Sequence, residues 1–239
     1  MLDFHLHPAR LPHPEKLIGA SKAAGYGIVA IACEPWEWEA VAAMDTDNKA
    51  FGIHPMVAAQ VSEDDFKKLE SYLRGNPVAS VGECGLDRRY PGYGADGMQE
   101  SVFMRQVELA RDLRRDLQIH CVGDYGRIVA LLKAAHFKNR PIFHRFGGDA
   151  GVVRAALPMG AIFSLHADSF KKKSTLAALP LIPAENVRFE TDADETTFAG
   201  NGWGAENGDT PADYSVEQVI QSLKERWLAT KSLWDNLKA

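Results

Sequence analysis

The sequence has few cysteines and no long apolar run. Its three cysteines, Cys33, Cys84 and Cys121, lie far apart in apolar surroundings and form no CxxC pair. This spacing argues against a disulfide framework and a thiolate zinc site and predicts buried, reduced thiols. The longest apolar stretches, such as Gly27 to Cys33 and Ala155 to Leu165, are too short or too broken for a membrane span, which needs about 20 apolar residues. We therefore expect no membrane partner.

Positive charge is not in excess either. Lys and Arg total 27 against 32 for Asp and Glu, and the net charge is −5. The whole chain therefore has no electrostatic attraction to nucleic acid or anionic lipid, and any phosphate binding must be local. The first residues also lack the basic region and apolar core of a signal peptide. We expect a cytoplasmic protein that is monomeric or only weakly self-associating.

What the sequence does have is an alternating pattern of short apolar runs and amphipathic stretches up to about residue 190. With 46% hydrophobic and 25% charged residues, the composition is that of an ordinary globular protein. The apolar runs predict eight strands: Leu2–Leu6, Gly27–Ala32, Lys49–Ile53, Val78–Gly82, Leu117–Ile119, Pro141–Phe143, Ala161–Leu165 and Val187–Phe189. Eight parallel strands close a (β/α)8 TIM barrel of about 250 residues. We predict an α/β fold with one such barrel domain over residues 1–239.

Helical spacing of apolar residues accompanies these strands. It predicts helices over Pro14–Ala24, Ser62–Arg74, Met98–Arg115, Tyr125–Ala135 and Val216–Leu237. The stretch from Phe198 to Tyr214 is rich in Gly, Asn and Asp, which predicts a loop and a candidate rim of the active site.

Titratable residues stand at the ends of most predicted strands. In chain order they are His5 and His7, His54, Glu83, His120, His144, His166 and Asp192. The carboxyl ends of barrel strands meet on one face, so residues scattered in sequence become one cluster in space. Taken singly, His54 or His166 is more typical of a hydrogen-bonded core histidine. Taken together, the set predicts a metal site, and the i, i+2 spacing of His5 and His7 places both imidazoles on one side of a strand.

Six short motifs carry a resemblance to a known family. They are Asp3-Phe4-His5-Leu6-His7, Phe51-Gly52-Ile53-His54-Pro55, Ser80-Val81-Gly82-Glu83-Cys84-Gly85-Leu86-Asp87, Gln118-Ile119-His120-Cys121, Phe143-His144-Arg145-Phe146-Gly147-Gly148 and Phe189-Glu190-Thr191-Asp192-Ala193. In content and order they resemble the TatD-related deoxyribonucleases, a branch of the metal-dependent amidohydrolase-like barrels. The resemblance implies a distorted, amidohydrolase-like barrel.

The resemblance also implies a site for two divalent ions, Zn, Mn or Mg. One ion would be held by His5, His7, Glu83 and Asp192, and the other by Glu83, His120 and His144. A bridging Glu83 agrees with the chemistry, because a carboxylate offers one oxygen to each of two ions about 3.5–4 Å apart. Asp192 is the candidate general base. His54 either orients or protonates a substrate oxygen, or only forms a hydrogen bond in the barrel mouth.

Other polar residues lie close to these positions in the sequence. Asp87 is a candidate for holding a ligating imidazole by its second nitrogen. Glu190 either faces the same site or forms a salt bridge in the barrel wall. The best local cations for a phosphate are Arg88, Arg89 and Arg145, and solvated loop charge is the alternative for each. Lys171–Lys173 could follow a nucleic-acid backbone, although such a run is more typical of a solvated helix start.

The chain departs from the family pattern mainly around the substrate. Pro8 follows the His-x-His pair where many members have Asp, Arg88-Arg89 replaces a common aromatic pair, and Asp194-Glu195 replaces a Pro-aromatic sequence. We predict a divalent-metal-dependent hydrolase of phosphodiester bonds, acting as a deoxyribonuclease on single-stranded DNA or on another phosphodiester. The alternative is an amidohydrolase, lactonase or phosphotriesterase for a small molecule, and a metal-holding protein without catalysis is a third hypothesis.

Overall fold

A computed structural model describes residues 1–94, 97–197 and 214–239. These residues form eight parallel strands that pair in chain order. The strands are β1 (Leu2–Leu6), β2 (Gly27–Ala32), β3 (Asn48–Phe51), β4 (Ser80–Asp87), β5 (Leu117–Val122), β6 (Pro141–Phe143), β7 (Ile162–Leu165) and β8 (Val187–Phe189). The helices are α1 (Pro14–Ala23), α2 (Trp38–Ala43), α3 (Glu63–Gly75), α4 (Met98–Leu113), α5 (Tyr125–Ala134), α6 (Ala150–Ala156), α7 (Lys173–Ala178) and α8 (Val216–Lys238).

The sheet closes where the chain leaves β8 and meets β1. The backbone N–H of Asp192 donates to the carbonyl of His5 at 3.0 Å, and the N–H of His7 donates to the carbonyl of Ala193 at 3.0 Å. These hydrogen bonds complete a (β/α)8 barrel, and the predicted fold class is confirmed. That residues 1–239 form a single domain stays a prediction.

The fourth strand differs most from its prediction. The sequence predicts Val78–Gly82, whereas β4 runs from Ser80 to Asp87 and is buried along its whole length. Glu83 therefore lies inside the strand rather than at its end. The prediction ended at the first charged residue, but the imidazoles around Glu83 make its burial tolerable, and the strand continues.

The longer helices lie within two residues of their predicted ends. The short helices α2, α6 and α7 were not predicted, because six or seven residues carry too little periodicity. A continuous apolar core joins the barrel to the helices through residues such as Leu69, Phe103 and Leu132, all fully buried. Among the described residues no helix is long and apolar enough to cross a bilayer. The predicted rim loop, Phe198 to Tyr214, lies outside the described residues except for Tyr214.

Candidate metal centre

Glu83 occupies the middle of a buried cluster of imidazoles. Its Oε1 lies 2.7 Å from His120 Nδ1 and 2.7 Å from His144 Nε2. Its Oε2 lies 3.3 Å from His5 Nε2 and 3.5 Å from His7 Nε2. Each oxygen of one carboxylate therefore faces a different pair of these nitrogens, which come from β1, the residue after β1, β5 and the residue after β6.

Asp192 reaches the same cluster from the segment after β8. Its Oδ1 lies 3.6 Å from His7 Nε2 and 3.8 Å from His5 Nε2. Burial opposes the charge of this carboxylate, but His144, His7 and His5 hold the pKa of Asp192 well below its usual range. Asp192 is therefore an anion at neutral pH, with one oxygen directed at the imidazoles of His5 and His7.

His54 faces Glu83 from the segment after β3. Its Nε2 lies 3.6 Å from Glu83 Oε1, and its Nδ1 accepts a hydrogen bond from the backbone N–H of Met56 at 3.0 Å. An accepting Nδ1 leaves the proton of the neutral ring on Nε2, the nitrogen that points into the site. Burial and the neighbouring His120 lower the pKa of His54 to about 3. The ring is therefore neutral and donates toward the centre of the cluster.

These side chains fit divalent cations. Among the described residues, the nitrogen and oxygen atoms of three overlapping groups lie close enough to hold an ion: His5 with His7 and Glu83, His5 with His144 and Asp192, and His54 with Glu83 and His120. Imidazole nitrogens with carboxylate oxygens suit Zn, Mn, Fe or Co. The buried Nδ1 of His5 also has no hydrogen-bond partner in the described parts of the chain. Leaving a buried polar atom without a partner usually lowers the stability of the folded state by about 1–3 kcal/mol.

A fourth group, His7 with Cys33 and Glu37, is geometrically close but chemically unsuited to a metal. The Glu37 carboxylate already accepts hydrogen bonds from Arg10 Nε at 2.7 Å and from the backbone N–H groups of Cys33 and Glu34 at 2.8 Å each. Burial raises the pKa of the Cys33 thiol well above its usual value, so the sulfur stays protonated. The prediction of reduced, buried thiols is confirmed, since all three cysteines are free and buried.

Asp87 supports the cluster from the end of β4. Its Oδ2 lies 2.8 Å from His120 Nε2, the nitrogen opposite the one that faces Glu83. Arg89 holds the other side of this carboxylate, with Nε 2.9 Å from Oδ1. The structure thus brings Asp87 to the position that its spacing from Glu83 suggested. Glu190 lies behind the cluster, 3.4 Å from His144 Nδ1, and accepts the backbone N–H of Arg145.

The three arginines singled out in the sequence have different surroundings. Arg145 lines the cavity above the cluster and donates to Asp192 Oδ2 at 2.8 Å, while its other nitrogen pairs with Asp168. Arg89 lines the same cavity, tied to Asp87, whereas Arg88 is exposed and is not part of the cavity wall. Of the lysine run, Lys171 pairs with Asp168 at 2.6 Å.

His166 does not join the cluster. Its Nδ1 accepts a hydrogen bond from the backbone N–H of Asp168 at 3.1 Å, which is the role of an ordinary hydrogen-bonded histidine.

The cavity above the cluster has a volume of about 540 Å³. Its wall also contains residues that were not predicted from the sequence as part of the site: Arg10, Cys33, Met56, Tyr90, Cys121, Val122, Asp168 and Thr196. Most of them follow the end of a strand by only a few residues, so their closeness in sequence to the predicted strand ends could have identified them as wall residues.

Comparison with known proteins identifies a family that matches this chain. The family model described as TatD related DNase matches residues 2–233. A "3'-5' ssDNA/RNA exonuclease TatD" of Edwardsiella piscicida is 33% identical over 147 residues, which cover 59% of this chain and 56% of the relative. A protein of the same name from Pantoea ananatis is 31% identical, covering 75% and 72% of the two chains. The chain thus spans little more than half the length of the first of these relatives.

The fold also matches a solved structure. A TatD homologue from Escherichia coli superposes with a TM-score of 0.71 over 95% of both chains at 19% identity. At that identity the likeness shows the fold alone. The family match over nearly the whole sequence goes further and confirms the resemblance carried by the six motifs: the chain belongs to the TatD related DNase family.

Proposed function

We propose that the protein is a divalent-metal-dependent phosphodiesterase that acts on single-stranded nucleic acid. One observation carries the proposal: each oxygen of the buried Glu83 carboxylate faces a separate pair of imidazoles beside an open cavity. This arrangement suits two neighbouring ions, because one carboxylate can offer one oxygen to each of them. The names of the curated relatives, exonucleases on ssDNA or RNA, support the choice of substrate.

The residues divide into two ligand sets around Glu83. His5, His7 and Asp192 would complete the set at Oε2, and His120 and His144 the set at Oε1. When bound, divalent ions in these sets supply a water of lowered pKa and neutralise charge on the phosphate. The identity of the ions, Zn, Mn or Mg, stays open because imidazole-rich sites favour Zn or Mn and phosphoryl chemistry is often supported by Mg.

The remaining side chains position the substrate and move the proton. Asp192 is ionised and would accept the proton of the attacking water. Arg145 Nη1, 2.8 Å from Asp192 Oδ2, can reach a phosphate bound beside that carboxylate, and Asp168 keeps the guanidinium in place. His54 is neutral and directs its Nε2–H into the site, so of the two roles predicted for it toward a substrate, orienting a substrate oxygen by a hydrogen bond fits better than protonating it.

The test is hydrolysis of bis(p-nitrophenyl) phosphate by metal-free protein reloaded with Mg, Mn or Zn, with bound metal counted by mass spectrometry. Wild type should bind two ions per chain and turn over only with metal, and Asp192→Asn should lower kcat at least about 100-fold. Asp194→Asn is the matched control, because Asp194 lines the cavity but, among the residues that the structure describes, its carboxylate accepts hydrogen bonds only from its neighbours Thr196 and Thr197.

Turnover that is indifferent to metal or to Asp192 would contradict this mechanism. Tightly bound metal without phosphodiester hydrolysis, combined with hydrolysis of a carboxylic ester, amide or lactone, would favour the small-molecule alternative.

A further inference from the structure

Trp36 is a large, exposed aromatic side chain that packs on Arg10, a residue of the cavity wall. The residue is 58% exposed, and every other Trp, Phe and Tyr in the described part of the chain is buried or only partly exposed. It lies three residues after Cys33, which directly follows β2 and lines the cavity. An isolated exposed apolar residue is ordinary, so the argument depends on what lies beneath the ring and on how firmly the ring is held.

Arg10 lies beneath it. The guanidinium carbon of Arg10 is 5.2 Å from the centre of the Trp36 ring. In the plane of the guanidinium, Nε donates to Glu37 at 2.7 Å, Nη1 donates to Glu195 at 3.3 Å, and Nη2 pairs with Glu34. All three nitrogens therefore form their ion pairs around the edge of the planar guanidinium group. One flat face of the group stays available to pack against the indole ring.

The segment that carries Trp36 is also fixed. The buried Glu37 carboxylate accepts the backbone N–H groups of Cys33 and Glu34 at 2.8 Å each, and the Glu37 N–H donates to the Glu34 carbonyl at 3.0 Å. One turn of chain is thus tied down on both sides of the tryptophan. A ring held in this way loses little conformational entropy when a second ring binds to it.

The charges around Arg10 determine what can bind there. Three carboxylates surround one guanidinium, so the local charge is negative and repels a phosphate. A flat, uncharged ring is not repelled, and it gains by stacking on the exposed indole. This separates Arg10 from Arg145, whose position beside Asp192 suits a phosphate.

A chain of side-chain contacts links the Trp36–Arg10 pair to the metal centre. Arg10 Nη2 lies 3.8 Å from Cys33 Sγ, which lies 3.9 Å from Nδ1 of His7. Trp36 is therefore linked to a candidate ligand through two intervening side chains. Arg10 and Cys33 both line the cavity, so a strand that extends from a phosphate at the ions along this part of the wall would meet the tryptophan.

We propose that Trp36, supported by Arg10, is a stacking site for one unpaired nucleobase of the single strand whose phosphate lies at the metal centre. The proposal rests on the proposed function and deepens it, since it specifies which part of the chain recognises a base. Base-on-aromatic stacking is sequence-tolerant, so the site favours single strands over duplexes without selecting a particular base.

The experiment compares wild type with Trp36→Ala, Trp36→Leu and Trp36→Phe on short single-stranded oligonucleotides with one abasic residue moved through successive positions. Trp36→Ala should weaken apparent binding, measured as KM, by about 5- to 100-fold. Trp36→Leu should resemble Trp36→Ala, whereas Trp36→Phe should recover much of the loss. At one position the abasic residue should impair wild type by a similar factor and leave Trp36→Ala unaffected.

Two further measurements separate this proposal from the proposed function. Binding of a labelled thymidine oligomer with cleavage-resistant linkages, followed by fluorescence anisotropy, reports stacking without any turnover. Equal affinity of wild type and Trp36→Ala in that assay, or equal sensitivity of both to every abasic position, would overturn the stacking site even if phosphodiester hydrolysis is intact. Absence of hydrolysis of bis(p-nitrophenyl) phosphate by metal-loaded wild type would instead contradict the phosphodiesterase, and the anisotropy comparison would still decide the stacking site.

Discussion

At the scale of single residues, the geometry of the site depends on the candidate metal-ligating side chains and equally on the side chains that hold them in place. Spacing at strand ends and the family motifs predicted that these candidate ligands lie together, and the structure brings their side chains into one cluster because parallel strands bring their ends together. The Arg145–Asp168 and Arg10–Glu37 pairs were not predicted, since they join residues from segments that follow different strands, and contacts between such segments leave no periodic signal in the sequence. Asp87 lies between these cases: its role was suggested by its spacing from Glu83 and depends on the orientation of His120.

Asp87→Asn should weaken metal binding about 10- to 100-fold, the usual effect of removing a carboxylate behind a ligating imidazole. The Asp87 carboxylate lies 2.8 Å from His120 Nε2 and, when ionised, fixes the proton on that nitrogen, leaving Nδ1 free to bind. Burial opposes its charge, but His120 and Arg89 hold the pKa of Asp87 below its usual range. Titration of metal-free protein with Zn or Mn in the presence of a competing chelator measures the affinity.

Arg89→Ala is the control for this change, because it removes the outer partner of Asp87 and keeps the carboxylate on His120. We expect a much smaller effect from it. Equal affinities in wild type and Asp87→Asn would show that the His120 ring is oriented by other contacts.

At the scale of elements, the long strand β4 determines where the cluster forms. Glu83, Gly85 and Asp87 alternate along it and so share one side of the strand. Gly85 lies between the two carboxylates and pairs with His120 of β5. The strands β4 and β5 therefore approach closely at the point where Glu83 and His120 are attached. The sequence motif showed that a glycine stands here. It did not show why, because the reason is a contact with the neighbouring strand.

Gly85→Ala should destabilise the protein by about 3 kcal/mol or more. A Cβ atom at this position would lie 1.9 Å from the carbonyl oxygen of His120, and the glycine has a φ of +153°. The two strands would have to separate, which would also displace the His120 ring from Glu83. Urea unfolding gives the free energy, and metal titration of the folded variant gives the loss of affinity.

Gly19→Ala is a matched control, since a Cβ atom there meets nothing within 4 Å in the exposed middle of α1. That change should be neutral or stabilise by up to about 1 kcal/mol. A Gly85→Ala variant as stable as wild type would mean that β4 and β5 can separate without cost.

At the scale of the whole molecule, the barrel depends on the junction between its first and last strands. Asp3 of β1 accepts hydrogen bonds at this junction from the Thr191 N–H at 3.0 Å, the Thr191 hydroxyl at 2.6 Å and the Tyr26 hydroxyl at 2.7 Å. It therefore joins β1 to the segments beside β2 and β8. The alternating pattern predicted that eight strands close a barrel, but not which polar side chain joins the ends, because the partners lie 188 residues apart.

Asp3→Asn should destabilise the metal-free protein by about 1–3 kcal/mol at pH 5, because the amide has one accepting oxygen where the carboxyl group has two. Burial raises the pKa of Asp3 from 3.8 to about 7, although Thr191 and Tyr26 lower it. The folded state therefore favours the protonated form. Its contribution to stability is fully present below about pH 4 and is lost as the pH rises through 7. Above pH 7 the wild type carries a buried charge that the amide lacks, so the deficit of the variant should shrink between pH 5 and pH 8.

Urea unfolding of wild type and Asp3→Asn at several pH values measures the difference between their free energies of unfolding. The histidines are common to both proteins, so their titration contributes equally to both free energies and cancels in the difference. Asp64→Asn, a change at an exposed carboxylate, should have almost no effect throughout. A deficit of Asp3→Asn that grows with pH would mean that the three donors stabilise the ionised carboxylate more than burial opposes it. The junction of the barrel would then be closed by a charged group instead of a neutral one.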